Sequence, residues 1–404
     1  MGRPKRGEQF SCDEVGIAHV VQRCVRRAFL AGIDQATGKD YSFRREWIRR
    51  RMELLASVFG LDLLSYAVMS NHLHLILRTR PDVVETWSDE EVALRWLRLF
   101  PGKRLEEHLG EPTDADLEQV LNTPGRVALL RKRLSDVSWF MKSLSEPIAR
   151  LANKQDECSG RFWEGRFKAQ KIVDEAGLLA CAMYVDLNPV RAAMAQSPES
   201  SQFTSAYDRI RATHGEQQIA AADEAVVPEA AKPQEQVDLE RRLSEAKQAG
   251  RDTATKRLSR QLERLLDKLR QQRAEQLRRL EADAWLAPLE LNERGRPSPK
   301  ASRDGVRASN KGFLSMSLTD YLNLLDWTGR QRQADKRGNI PSHLAPIMDR
   351  LGIAPGMWAD LVWNFNRYFG RSRAAGSPDG LKAEAQQSHR YWIPGQRTVA
   401  GCFA

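Results

Sequence analysis

The sequence predicts an α+β fold, in which a ferredoxin-like antiparallel sheet with helices on one side is followed by long charged helices and a small all-α C-terminal domain. Three observations predict the sheet. Residues 15–23 alternate in the manner of a strand, residues 61–78 hold two apolar strands separated by a Ser-Asn turn, and residues 166–173 form a further strand. With amphipathic helices between them, the order of elements is β-α-β-β-α-β-α, which is typical of an α+β sandwich.

The first strand has two distinct faces. Ile17, His19, Val21 and Arg23 share one of them, because side chains alternate along a strand. A single strand histidine is more often structural than catalytic, so the sequence favours a structural role for His19 and leaves a place at a site open. Arg23 and the nearby Arg26 indicate either contacts to phosphate or a solvated turn.

A helix over residues 41–60 leads into the central hairpin. The hairpin has one strand at residues 61–69 and an antiparallel return at residues 72–78. His72 and His74 point to the same face of the return, about 7 Å apart along the strand, so their imidazoles can converge on one cation. The alternative for an isolated H-x-H pattern is a strand with two structural histidines.

The last strand is followed by a helix that carries Tyr184 and Asn188. Asp174 is a suitable N-cap for this helix, and Pro189 should bring it to its end. Tyr184 and Asn188 are four residues apart and therefore share a helical face. Together they offer a hydroxyl nucleophile and an amide oxygen as a metal ligand.

Three motifs follow one another along the chain. Residues 69–75 read M-S-N-H-L-H-L, residues 165–168 read G-R-F-K, and residues 184–192 read Y-V-D-L-N-P-V-R-A. In this order and spacing they resemble the motifs of the HUH single-tyrosine transposases, most closely the REP-associated tyrosine transposase group. Two positions differ from the family pattern, since Ser70 replaces a common proline and Asp186 replaces a common histidine. The resemblance covers about half of the chain.

The resemblance implies a DNA strand transferase with an HUH nuclease domain. Tyr184 is the implied nucleophile, which leaves a 5′-phosphotyrosine and a free 3′-hydroxyl, and the covalent intermediate allows the strands to be rejoined. His72, His74 and Asn188 are the implied ligands of one divalent ion. Imidazole and amide ligands with open coordination positions suit Mg²⁺ or Mn²⁺, and Mn²⁺ matches nitrogen ligands better. Zinc is a further alternative. The implied partner is single-stranded or hairpin DNA.

Three other functions remain open at this stage. A nickase that initiates plasmid or phage replication would use the same chemistry, although the sequence has no helicase-like G-x-x-x-x-G-K-[ST] motif. A non-catalytic DNA-binding regulator could use the same fold. A metal-dependent phosphodiesterase that uses water would form no covalent adduct with DNA.

The predicted organisation has four parts. Residues 1–200 form the nuclease domain, with a helical insertion at about 81–131. Residues 201–236 are rich in Ala, Gln, Glu and Pro and are expected to be a linker. Residues 237–284 form a charged helical or coiled-coil segment, and residues 285–404 form a basic loop and a small helical domain that could bind DNA.

Further candidate DNA contacts lie in both halves of the chain. Arg166 and Lys168 alternate on the last strand, where they could neutralise phosphate or be ordinary charges of an edge strand. Arg330 and Arg332 lie in a basic cluster between the C-terminal helices. The leucine stripe at residues 258–269 would pack on the body of the protein or on a second copy, so a homodimer is one expectation.

Composition favours an anionic partner. The formal net charge is +10 and the pI is about 9.5, which suits nucleic acid. No apolar run reaches the length of a transmembrane helix, and the basic N-terminus has no apolar segment after it. The five cysteines form no C-x-x-C pair. We therefore expect a cytoplasmic location and no membrane partner.

Overall fold

The computed structural model describes residues 13–25, 30–34, 38–102, 111–223, 234–250, 254–265, 282–291, 306–331 and 343–403. The chain divides into two compact units. One consists of Met1–Asp208 together with Trp285–Ala404, and the other is Arg209–Ala284. None of the described helices combines the length and the apolar character that a membrane-spanning segment needs.

The larger unit is built on one five-stranded mixed sheet. Its strands are β1 (Ile17–Arg23), β2 (Leu61–Val68), β3 (His72–Thr79), β4 (Lys168–Ile172) and β5 (Ala374–Ala375), in the spatial order β2-β3-β1-β4-β5. The first four pair antiparallel in the ferredoxin-like order, which confirms the predicted α+β class. The fifth strand pairs parallel to β4 and comes from the end of the chain.

Side chains along β3 alternate between the two sides of the sheet. Leu73, Leu75 and Leu77 are buried in one hydrophobic cluster, on the side of the sheet that carries Ala18 and Val20 of β1. His72 and His74 therefore point to the opposite side, as the sequence predicted.

Two helices cover the leucine side. They are α1 (Arg44–Val58) and α6 (Val137–Gln155), and each buries one apolar stripe in the same cluster. The side chain of Asp136 caps α6 by accepting hydrogen bonds from the backbone of Ser138 and Trp139. Pro147 lies inside α6 without ending it.

The predicted insertion is helical. It contains α2 (Pro81–Glu85), α3 (Asp89–Leu99), α4 (Asp114–Leu121) and α5 (Arg126–Leu134). Ser88 is the N-cap of α3, and its side chain accepts a hydrogen bond from the backbone of Glu91. The described apolar residues of the insertion pack on the leucine side of the sheet.

The opposite side of the sheet is covered by α7 (Glu175–Asp186). Every residue of this helix after Glu175 is buried, which is expected of a helix enclosed on all sides. A short helix α8 (Asn188–Arg191) follows it, and α9 (Ser205–Asp223) begins soon afterwards. The buried carboxylate of Asp186 accepts hydrogen bonds from Ser205 and Tyr321 and so joins the end of α7 to two other helices.

The C-terminal helices are part of this core. They are α12 (Leu318–Arg330), α13 (Ala345–Arg350), α14 (Trp358–Trp363), α15 (Phe365–Phe369), α16 (Pro378–Gln387) and α17 (Gln396–Val399). Their apolar side chains share one cluster with α7 and the sheet, Trp358 and Phe365 among them. The predicted boundary at residue 285 therefore does not separate a unit of its own, because these helices bury the outer side of α7.

The structure also describes parts of the predicted linker and of the predicted charged segment. Residues 205–223 are helical within the predicted linker, since Ala, Gln and Glu are good helix formers. In the smaller unit, α10 (Gln234–Gln248) and α11 (residues 254–265) bear out the prediction of charged helices. Residues 266–281, which include the end of the leucine stripe at residues 258–269, and residues 292–305 of the basic loop lie outside the described residues.

Candidate active site

The histidine side of the sheet forms the floor of an open cavity of about 720 Å³. Strands β1, β3 and β4 supply the floor, because the strand register aligns their side chains on one face: Val21 pairs with His74, and His19 pairs with Gln170. Helix α7 and the segment 366–372 supply walls. In addition to His19, His74 and Gln170, the described charged and polar residues that line the cavity are Arg23, His72, Glu164, Arg166, Lys168, Tyr184, Asn366, Arg371 and Ser372.

His72 and His74 lie side by side on the cavity floor. Their ring centroids are 4.9 Å apart, with the rings nearly perpendicular. The Nδ1 atom of His72 is 2.5 Å from the side-chain oxygen of Asn71, an acceptor, so the proton of this imidazole lies on Nδ1 and its Nε2 keeps a lone pair. No described residue forms a hydrogen bond with the buried Nε2 atom of His74. Both imidazoles therefore line the cavity with one ring nitrogen that has no hydrogen bond to the described part of the chain.

The environment keeps both imidazoles neutral. Burial, followed by the nearby charges of Arg23 and Arg191, lowers the pKa of His72 from 6.5 to about 4. Burial and the neighbouring histidines, with the two arginines adding to the effect, lower the pKa of His74 well below its usual value. Neutral imidazole is the form that binds a metal ion or accepts a proton.

His19 also belongs to this cluster. Its Nε2 atom is 3.0 Å from Nδ1 of His74, and the planes of the two rings are nearly parallel. Burial lowers the pKa of His19 to about 4, against the opposing effect of a hydrogen bond with the side chain of Gln170. The sequence favoured a structural role for His19 and left a place at the site open, and the structure places it in direct contact with His74.

Tyr184 lies against the histidines from the side of α7. Its ring centroid is 5.5 Å from that of His74, with the rings perpendicular. Phe365 stacks on the Tyr184 ring with the centroids 5.0 Å apart, and the side-chain nitrogen of Asn366 donates a 2.8 Å hydrogen bond to the hydroxyl oxygen of Tyr184. Only 4% of Tyr184 is exposed. Asp174 caps the helix as predicted, by accepting a hydrogen bond from the backbone of Gly177.

Asn188 is separated from Tyr184 by the end of α7. The predicted shared helical face is interrupted, because α7 ends at Asp186 and Asn188 begins the separate α8, with Pro189 in its first turn. Asn188 is buried, and its amide nitrogen has no hydrogen-bond partner among the described residues. In the described part of the chain it makes no hydrogen bond with His72 or His74, and it does not line the cavity.

The predicted basic residues fall into three groups. Arg23, Arg166 and Lys168 line the cavity beside the histidines. Arg330 lies in a different groove and pairs with Asp326. Arg26 and Arg332 lie outside the described residues.

The side chains of the site supply part of a ligand set for a divalent ion. Within the described ranges, no group of three or more His, Cys, Asp or Glu side chains is arranged to hold a metal ion. A structural zinc site with four protein ligands is therefore not formed there. The two partner-free Nε2 atoms of His72 and His74 fit an ion whose remaining ligands are water and a phosphate oxygen, and the buried Asn188 amide remains a candidate for a further ligand.

Comparisons with known proteins add little. No family model matches the chain, and no curated protein matches it. A solved structure described as "Structure of the REP associates tyrosine transposase bound to a REP hairpin" is similar over 47% of this chain and 76% of that chain, at 12% sequence identity and a TM-score of 0.28. A similarity of this size assigns neither a family nor an activity.

Sequence patterns did not link Phe365, Asn366 or Gln170 to the site. Phe365 and Asn366 contact Tyr184 but are distant from it in sequence, and no local pattern connects them with it. Gln170 gave a usable signal, because it alternates with Arg166 and Lys168 along the predicted strand 166–173, a pattern that places the three on one face.

Proposed function

We propose that this protein is a metal-dependent, single-tyrosine enzyme of the HUH type that cleaves and rejoins single-stranded DNA. The observation that carries the proposal is the contact between the ring of Tyr184 and the ring of His74 at the floor of a basic cavity. A phenol, two neutral imidazoles with free nitrogen atoms, and arginine and lysine side chains are the groups that phosphodiester transfer needs.

Tyr184 is the proposed nucleophile. Its oxygen attacks a backbone phosphorus, the bond from phosphorus to the 3′ oxygen breaks, and a 5′-phosphotyrosine forms. The phenol proton passes to solvent and the leaving 3′ oxygen takes up a proton, so the proton count balances. The hydrogen bond donated by Asn366 holds the phenol oxygen in place. The hydroxyl proton of Tyr184 is not used in this bond and can leave. Attack by the 3′-hydroxyl on the phosphotyrosine reverses the step and rejoins strands.

His72 and His74 would hold the metal ion, with Mn²⁺ or Mg²⁺ as the proposed ions and Asn188 as a candidate third ligand. When bound, such an ion neutralises charge on the scissile phosphate and the leaving oxygen. Arg23, Arg166 and Lys168 attract the DNA backbone into the cavity.

The test uses labelled single-stranded hairpin oligonucleotides, Mn²⁺ and a denaturing gel. The wild-type protein should form a covalent protein–DNA band. The band should disappear in Tyr184→Phe, in His74→Ala and after addition of EDTA, while Tyr184→Phe should still bind the hairpin in a native gel. Cleavage without an adduct would instead identify a phosphodiesterase that uses water. Joining of a second oligonucleotide would favour a transposase over a simple nickase.

A second candidate function has its own observation. Tyr184 is almost fully covered, since Phe365 stacks on it and Asn366 binds its hydroxyl oxygen. This favours, as the alternative, a regulator that binds DNA without cutting it. In that case the wild-type protein and Tyr184→Phe would bind hairpins equally well, and neither would form an adduct.

A further inference from the structure

Tyr391 and Trp392 are adjacent aromatic residues that the fold leaves in solvent. They lie in the loop between α16 and α17. Tyr391 is fully exposed and Trp392 is 64% exposed, whereas no other described large apolar side chain is more than 58% exposed. Burial of such rings would be favourable, so a neighbouring pair that stays in water is typical of a binding surface.

The backbone on both sides of the aromatic pair is anchored. Before the pair, the backbone nitrogen of Arg390 donates to the oxygen of Ala385 at 2.7 Å, and His389 has the left-handed φ of 52° that this kind of helix end needs. After the pair, Ile393 is buried in the same hydrophobic cluster as α7 and the C-terminal helices. The loop therefore presents the two rings from a fixed position.

A basic groove lies beside the pair. It has a volume of about 270 Å³, and its lining includes Arg373 from the start of β5 and His389 and Arg390 from the end of α16. The carboxylate of Glu384 also lines the groove, but it is matched by Lys171, whose Nζ atom is 2.7 Å away. The two arginines therefore give the groove a positive charge, which attracts an anionic ligand.

The aromatic loop and the groove adjoin the candidate active site. Gly395, in the same loop, packs so closely that a Cβ atom there would lie 2.7 Å from the backbone oxygen of Tyr368 and 3.8 Å from Cβ of Ser372. Arg371 and Ser372 line the cavity, and the next residue, Arg373, lines the groove. Two residues of extended chain span at most about 7 Å. A polyanion that enters the cavity can therefore continue into the groove.

We propose that Tyr391 and Trp392 form a stacking platform for unpaired bases of single-stranded DNA, with the backbone phosphates along Arg373 and Arg390. Every base has an aromatic face, so aromatic rings next to a basic groove suit single strands of any sequence. An apolar protein partner would gain nothing from the two arginines, and the charge therefore favours the polyanion. The choice of DNA rests on the proposed function, to which the platform adds a contact outside the cavity.

The experiment compares two hairpin oligonucleotides that differ only in a single-stranded extension. One extension is oligothymidine, and the other has the same length but consists of abasic nucleotides, which keep the phosphates and lack the bases. Each extension is placed at the 5′ end and at the 3′ end in turn. Fluorescence anisotropy without divalent metal measures binding and needs no cleavage. The full-length protein should bind one oligothymidine hairpin about 5- to 100-fold more tightly than its abasic counterpart.

Variants of the exposed loop assign this preference to the two rings. The double variant Tyr391→Ala, Trp392→Ala should lose the preference for bases and keep its affinity for the abasic hairpin. Tyr391→Phe with Trp392→Phe is the matched control, because both positions retain an aromatic ring, and it should keep most of the preference. Arg390→Gln should weaken both extended hairpins equally and reduce the salt dependence of binding by a slope of about 0.7.

Two results would overturn the proposal. One is equal affinity of the wild-type protein for the oligothymidine and abasic hairpins at both ends, and the other is a preference that survives the loss of both rings. A change of oligomeric state in the double alanine variant, measured by sedimentation, would assign the pair to a contact between copies instead. The proposed function fails separately: base-dependent binding without a covalent adduct would remove only the cleavage chemistry, whereas an adduct without base-dependent binding would remove only the platform.

Discussion

The hydroxyl oxygen of Tyr184 accepts a 2.8 Å hydrogen bond from the side chain of Asn366, which lies 182 positions further along the chain. The candidate nucleophile is thus held by a residue outside the part of the sequence that carries the three motifs. Phe365, the neighbour of Asn366, stacks on the same phenol ring. The C-terminal third of the chain is therefore a structural part of the candidate site.

Loss of the Asn366 hydrogen bond should slow the covalent step. Asn366→Ala leaves the phenol oxygen without its donor, and a hydrogen bond of this kind contributes about 1 kcal/mol. We expect the rate of adduct formation to fall about five- to tenfold, with hairpin binding unchanged, in a single-turnover gel assay. Asn364→Ala is the matched control, because Asn364 is also exposed and its side chain binds Asp360 instead. A faster rate in Asn366→Ala would show that the contact restrains Tyr184.

Stability should depend on pH through His19. Its pKa is about 4 in the folded protein and 6.5 as the ordinary value, so between these values the unfolded chain binds the additional proton. The free energy of unfolding must then fall as the pH falls through this window, by roughly 2 kcal/mol between pH 7 and pH 5 from this residue. Urea denaturation at the two pH values should show a loss smaller by about that amount in His19→Gln. Equal losses in the two proteins would contradict the assignment.

The basic residues of the cavity should control the salt dependence of DNA binding. Each phosphate contact on a single strand contributes about −0.7 to the slope of log affinity against log salt concentration. Arg166→Ala, Lys168→Ala and Arg371→Ala should each make the slope less steep by about that amount, as measured by fluorescence anisotropy. Arg330→Ala should leave the slope unchanged, because Arg330 lies in another groove and pairs with Asp326. A less steep slope in Arg330→Ala alone would show that DNA binds in the groove of Arg330 and not in the cavity.

The packing of α7 on β5 should not tolerate a methyl group at Gly177. A Cβ atom there would lie 2.6 Å from the Cα atom of Gly376 and 2.7 Å from the backbone oxygen of Ala375. Gly177→Ala should therefore lower the free energy of unfolding by about 1 to 3 kcal/mol, since backbone atoms cannot move aside easily. Gly356→Ala, where a Cβ atom meets nothing within 4 Å, is the control. Equal stability of the two variants would show that α7 shifts without cost.

Local sequence patterns were sufficient to predict the strand face of the histidines and the start of α7 in the first half of the chain. Alternation along residues 72–78 predicted which face His72 and His74 share, and the position of Asp174 predicted the start of α7. The shared helical face of Tyr184 and Asn188 could not be predicted reliably, because Pro189 begins a new helical turn after a break that spacing alone does not show.

Long-range pairing explains the rest of what the sequence did not reveal. Strand β5 has two residues, too few for any periodic signal, and it joins the sheet only through its pairing with β4. One signal was present in α7, whose residues 176–185 include no charged side chain and no polar stripe. A helix of that composition has to be covered on both sides, and the C-terminal helices supply the second cover.

The all-round burial of α7 has a consequence for synthesis. Translation produces this helix well before α14 and α15, the helices that enclose its outer side, so a nascent chain that ends near residue 200 carries one exposed apolar face. The same unfinished chain holds Tyr184 without Phe365 or Asn366. Completion of the polypeptide therefore covers that apolar face and supplies the two residues that contact Tyr184, the candidate nucleophile.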